Sequence, residues 1–114
     1  MRHLHKNDVE LWEYLEQIAR EAADFFSLPL RKLSVLNPRA DYSAICYEDG
    51  HIKIQLRMTT RKRKAYEIID AVAHELAHLR HLNHSPDWHA VYVRLVNFLA
   101  KDYAWVRRYR KRRG

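Results

Sequence analysis

The sequence predicts a single α+β domain, and three observations carry that prediction. The apolar period is helical up to Phe25, changes to two between Leu30 and Met58, and is helical again from Ala65 onward. The architecture expected is an N-terminal helix, a small three-stranded, mainly antiparallel sheet, two further helices and a basic tail. A chain of 114 residues with 47% hydrophobic content supports one core. The domain is expected over residues 1–106, with the tail at 107–114.

The first helix opens at Asn7, which with Glu10 resembles a capping box, and Leu11, Leu15, Ile18, Ala22 and Phe25 form its stripe. Pro29 ends it, because proline removes a donor and restricts Leu28. Leu33 to Leu36 reads as a short strand closed by Asn37-Pro38. Ser43 to Tyr47 and His51 to Met58 flank Asp49-Gly50, a two-residue hairpin signal. In the second arm Ile52, Ile54, Leu56 and Met58 alternate with His51, Lys53, Gln55 and Arg57, giving one buried and one wet face. Ala65, Ile69, Val72, Leu76 and Leu79 mark the next helix, which begins near Lys64 and stops at Asn83. Ser85-Pro86 reads as the cap and first residue of a last helix running to about Lys101.

Composition excludes several classes of function. Only two Gly and three Pro argue against collagen-like or low-complexity character. The single Cys46 rules out an internal disulfide and a cysteine-based zinc cluster, and suits a reducing compartment. No apolar run reaches the ~18–20 residues that span a bilayer, and Met1 to Lys6 lacks a signal-peptide core. A cytoplasmic protein with no membrane partner is expected.

Five of the eight histidines fall between His74 and His89. The core is His74-Glu75-Leu76-Ala77-His78, H-E-x-x-H on a helix. Residues i and i+4 share a face one turn apart, so both imidazoles reach one ion. Glu75 points ~100° away, too far to ligate but within reach of a water on that ion.

Geometry constrains the third ligand. His81 shares the face but lies ~10 Å along the helix from His74, whereas zinc–nitrogen bonds are ~2.0–2.1 Å. The ligand must come from chain that has turned back, and His84 sits between the helix stop and the next start. Glu75 is the last Glu, so no downstream glutamate competes. His84 is the choice, with His89, Asp87 and Asp102 behind it in that order. His81 reads as solvated or as a second-layer group. Asp70 and Glu67, one and two turns before His74, read as solvated polar face or as groups orienting an imidazole.

These residues resemble the zinc-dependent metallopeptidases of the YgjP-like and WLM group, with a looser likeness to SprT-like proteases. The resemblance covers roughly Gly50 to Leu95. In that group the third ligand follows the second His after five residues, as His84 does here, and an aromatic follows it. It implies a minimal gluzincin-type zincin fold whose edge strand lines the substrate cleft, a place the 51–58 strand fills. Metzincins share the spacing but place glycine where His81 stands and need a later methionine; Met1 and Met58 are the only methionines. The group's second aromatic is replaced by His89, which suits either packing or stabilisation of a developing oxyanion.

Charge is local. Residues 1–30 hold six acids against three bases, while 101–114 hold seven bases against Asp102. Arg107, Arg108, Arg110, Lys111, Arg112 and Arg113 interleave with Tyr109 and could bind DNA or RNA phosphates without sequence preference, or simply aid solubility. A second block runs Arg61 to Lys64. Two functions follow. One is a peptidase holding one Zn²⁺ per chain through His74, His78 and His84, with Glu75 as base and a protein or peptide as substrate. The other is a non-catalytic nucleic-acid-binding module whose structural zinc takes His89 as a fourth ligand.

Overall fold

The first apolar stripe forms α1 (Val9–Phe25), which buries Leu11, Trp12, Leu15, Ile18 and Ala22. The computed structural model describes residues 2–112. Asn7 does not cap this helix. Lys6–Asp8 make one 3-10 turn instead, and the Asp8 carboxylate is drawn inward to two arginines.

Three short strands follow: β1 (Lys32–Val35), β2 (Ala44–Cys46) and β3 (His51–Ile54). The sheet order is β1-β3-β2, with β2 antiparallel and β1 parallel to β3. The sheet is therefore mixed, not mainly antiparallel. The hairpin is local and forms as expected, but β1 joins the far side of β3. There Leu33 pairs with Ile52 and Val35 with Ile54 in one buried register. The hairpin loop is also one residue longer than the Asp49-Gly50 signal. Tyr47 N–H donates to the His51 carbonyl and Gly50 N–H to the Tyr47 carbonyl, leaving Glu48, Asp49 and Gly50 in the loop. Gly50 has φ +91°, and an added Cβ would lie 2.6 Å from the Pro29 carbonyl oxygen, so this position needs glycine.

The second arm leaves the sheet at Gln55. Expected on the wet face, Gln55 is 1% exposed. Its amide donates to the Asn37 and Ala40 carbonyls, pinning the β1–β2 loop. A buried amide is tolerable when its groups are paired this way.

Next comes α2 (Ala65–His78), the centre of the molecule, packed on α3 along one side and on β2 and β3 along another. Contact on two sides explains its four buried alanines (Ala65, Ala71, Ala73, Ala77) among Ile68, Val72 and Leu76. Fully burying Leu76 contributes about 1.5–3 kcal/mol. The helix ends at His78, five residues before Asn83. Leu79 and Arg80 N–H groups bond back to Leu76 and Ala77 carbonyls in tight i→i+3 fashion, and the Arg80 guanidinium donates to the Phe26 carbonyl. His81 therefore lies beyond the helix rather than on its face.

Ser85 Oγ accepts from Trp88 N–H, so Ser85-Pro86 starts α3 (Pro86–Arg112) as expected. The helix does not stop near Lys101. Leu95, Leu99, Asp102, Val106 and Tyr109 are all buried, at spacings of four, three, four and three. Residues 107–112 are the last turns of a packed helix, not a detached segment; Arg113 lies outside the described residues. Among the described residues no helix is long and apolar enough to cross a membrane.

Candidate metal centre

The early end of α2 turns the chain so that His84 comes back over the helix. His84 Nε2 lies 3.1 Å from His78 Nε2 and 3.1 Å from His74 Nε2. The three ring nitrogens fall within 4.8 Å of one another. Tetrahedral ligands at ~2.0–2.1 Å from an ion stand about 3.3 Å apart, so the spacing fits one small cation.

The opposite ring nitrogens fix the tautomers. His74 Nδ1 lies 2.9 Å from Glu75 Oε2, and His78 Nδ1 lies 3.0 Å from the His81 carbonyl oxygen. Carboxylates and carbonyls only accept, so both Nδ1 atoms carry hydrogen, and in the neutral imidazole Nε2 is then the bare lone pair that a metal takes. Three imidazoles thus converge, and one cation bound between them would take a lone pair from each.

Trp88, from the first turn of α3, is the platform beneath them. Its ring sits 4.8, 5.3 and 4.6 Å from those of His74, His78 and His84, and Tyr92 stacks on Trp88 at 5.0 Å. Tyr92 in turn donates to Asp70, and that hydrogen bond with burial pushes its hydroxyl up to about 12. Such packing holds the rings in fixed rotamers, as a preformed metal site requires.

Other sequence candidates fall elsewhere. Asp87 is exposed, and His89 is exposed with its ring 6.3 Å from Tyr92. Asp102 accepts from Tyr14 and Lys101, far along α3. Glu67 binds Arg61 and Arg63, and Asp70 holds Tyr92, so neither orients an imidazole. That task falls to the Glu75 carboxylate and to the backbone of His81. Sequence reasoning missed the first, because H-E-x-x-H assigns Glu75 to water; His81 was expected as a solvated or second-layer group, and its contact here is made by the backbone carbonyl rather than the ring. Of the basic candidates, Arg107, Arg108, Lys111 and Arg112 are exposed, while Arg110 is buried and donates to Asp8 and the Leu56 carbonyl.

The edge strand packed on α2 is β2, not the 51–58 strand. β3 is the central strand and has both edges paired, whereas β2 ends the sheet order. Cys46 on β2 lies close enough to feel Glu75: burial first, then that charge, pushes its thiol up to about 11. Next to His78 a hollow of about 130 Å³ is lined by Leu79, Leu82, Tyr47 and Arg31.

Fold and site together define a small α+β domain in which three histidines that could hold a metal ion gather at the end of its middle helix. The model of the family described as YgjP-like, metallopeptidase domain matches residues 5–109, and the chain belongs to that family. The match takes in α1 and most of α3, well beyond the Gly50 to Leu95 stretch that carries the motif. No significant match was found among curated proteins or among solved structures.

Proposed function

We propose that this chain is a zinc-dependent peptidase with a minimal gluzincin-like fold, whose active-site helix is α2. The observation that carries the reading is that three histidine nitrogens converge beside the buried Glu75 carboxylate. Zinc held there supplies a Lewis acid that acidifies water and polarises a carbonyl. His74, His78 and His84 bind through Nε2, and Glu75 Oε2 orients His74. The Glu75 carboxylate takes the proton of the attacking water and delivers it to the departing amine. An extended peptide pairs with the open edge of β2, which lays its carbonyls along the metal centre. The hollow lined by Leu79, Leu82 and Tyr47 takes one of its side chains.

A structural zinc in a nucleic-acid-binding module requires a fourth protein ligand. The exposed positions of His89 and Asp87, outside the converging three, favour the open site. Glu75→Gln tests the reading. Glutamine keeps an oxygen for His74 Nδ1 but cannot take the water's proton. Zinc content and thermal stability should persist, while hydrolysis of an unfolded-protein or peptide library falls about 10²–10⁴-fold. Intact mass should be followed, so that autocleavage is counted. A variant as active as the zinc-loaded wild type would contradict the role of Glu75.

A further inference from the structure

The two basic blocks of the sequence, more than forty residues apart, meet in space. A groove of about 500 Å³ lies between the β3–α2 connection and the last turns of α3. Seven bases line it, Arg61 to Lys64 from one wall and Arg107, Arg110 and Lys111 from the other. The walls are tied together where Lys62 Nζ donates to the Arg110 carbonyl oxygen at 2.6 Å. Two acids bond to these bases: Glu67 to Arg61 and Arg63, and Asp8 to Arg110. Lys64, Arg107 and Lys111 are exposed and have no acid partner among the described residues. Positive charge is therefore in excess, and the neighbouring Arg110 and Arg57, after burial, lower the pKa of Lys62. The first turn of α2 opens into the groove through Ala65 and Tyr66, adding the positive end of its dipole.

Two aromatic rings stand among these charges. Tyr66 is 58% and Tyr103 37% exposed, and both line the basic groove. The same two rings line an adjoining groove of about 310 Å³, continued by Ile69, Val96 and Ala100 toward Asp70. Cations that track a phosphate chain, beside open rings on which bases stack, are what a single strand of nucleic acid recognises; a duplex keeps its base faces hidden. The acidic Asp70 at the far end confines phosphates to the basic end.

We propose that this groove binds single-stranded nucleic acid, with phosphates on Lys64, Arg107 and Lys111 and bases on Tyr66 and Tyr103. The site belongs to packed helix ends rather than to a tail, and it does not depend on the hydrolase reading. Lys64 and His74 lie ten residues apart on α2, so a bound strand is held ~15 Å from the metal centre.

The full-length protein should be titrated by fluorescence anisotropy with a 20-nucleotide mixed-sequence single strand, as DNA and as RNA. The same-length duplex, heparin and poly-glutamate serve as competing polyanions. Single strands should bind best, with a log–log salt slope of about −2 to −3.5 for three to five phosphate contacts. Reversing Lys64, Arg107 and Lys111 to Glu should weaken binding at least tenfold and flatten the slope by about 2. Tyr66→Ala with Tyr103→Ala should weaken strand binding roughly tenfold while leaving heparin binding unchanged. Melting temperatures check that the variants fold. Equal weakening on reversing Arg31, Lys32 and Arg39, outside the groove, would overturn the proposal. So would duplex, heparin or poly-glutamate binding as tight as the single strand, or no binding at low salt.

Discussion

The two ends of α2 solve opposite problems. At its C-terminal end three imidazoles gather, within eleven residues of chain, against the Trp88 ring. At its N-terminal end the groups are ionic and distant in sequence. Asp8, 1% exposed, receives Arg57 at 2.7 Å and Arg110 at 2.8 Å, partners 49 and 102 residues away. The first end is a histidine cluster that could hold a cation. The second holds counter-ions for its buried charges and closes the fold, while the exposed Lys64, Arg107 and Lys111 lack an acid partner among the described residues.

That difference predicts opposite responses to substitution. The largest effect belongs to the metal end: His84→Ala should remove most bound zinc and hardly change the melting temperature of the metal-free protein, since His84 is exposed. His81→Ala should retain about one zinc, because the contact to His78 comes from the backbone carbonyl. Metal analysis with the reverse ranking would sink the ligand assignment.

At the other end the cost falls on stability. Asp8→Ala strands two guanidinium groups, one of them deeply buried, and should cost about 3–5 kcal/mol in urea unfolding. Removing the chain after Val106 deletes Tyr109 and Arg110 with their bonds to Asn7, Asp8 and Leu56, and should likewise destabilise. A truncated protein as stable as the whole would show that these last turns are dispensable.

The smallest effect sharpens the same contrast by pH. Hydrogen bonds from Arg61, with further help from the Lys64 N–H and Arg63, hold Glu67 down to about 2 from an ordinary 4.5. A depressed acid contributes stability above its unfolded pKa and loses it as pH falls through the folded value. The deficit of Glu67→Gln should therefore be steady above about pH 4.5, on the order of 1 kcal/mol as for a lost helix cap, and vanish near pH 2. A deficit that grows on acidification would contradict the pairing.

Legibility in the sequence follows the same division. The clustering of His74, His78 and His84 was readable because its logic is local: an i, i+4 pair, a stop and a reversal. Even there the helix ended at His78 rather than Asn83, since a hydrogen bond from the Arg80 guanidinium to the Phe26 carbonyl, just past α1, helps set the turn. The β2–β3 hairpin was readable from its turn, but the parallel docking of β1 was not, because nothing near Leu33 names Ile52 as its partner. The run Arg107 to Arg113 read as a tail because charge density outweighs spacing by eye. A signal was present, in that Leu95, Leu99, Val106 and Tyr109 keep one helical stripe. Asp102, buried in that stripe by its bond to Tyr14, interrupted the apolar pattern and hid the continuation.

The central claim, a metal centre with three histidine ligands and a fourth place left to solvent, is met most directly by a crystal structure of the zinc-loaded protein. It should show one zinc on the Nε2 atoms of His74, His78 and His84, with a water completing the coordination beside the Glu75 carboxylate. A fourth protein ligand, such as His89 or Asp87, or a zinc that leaves His84 unbound, would contradict it.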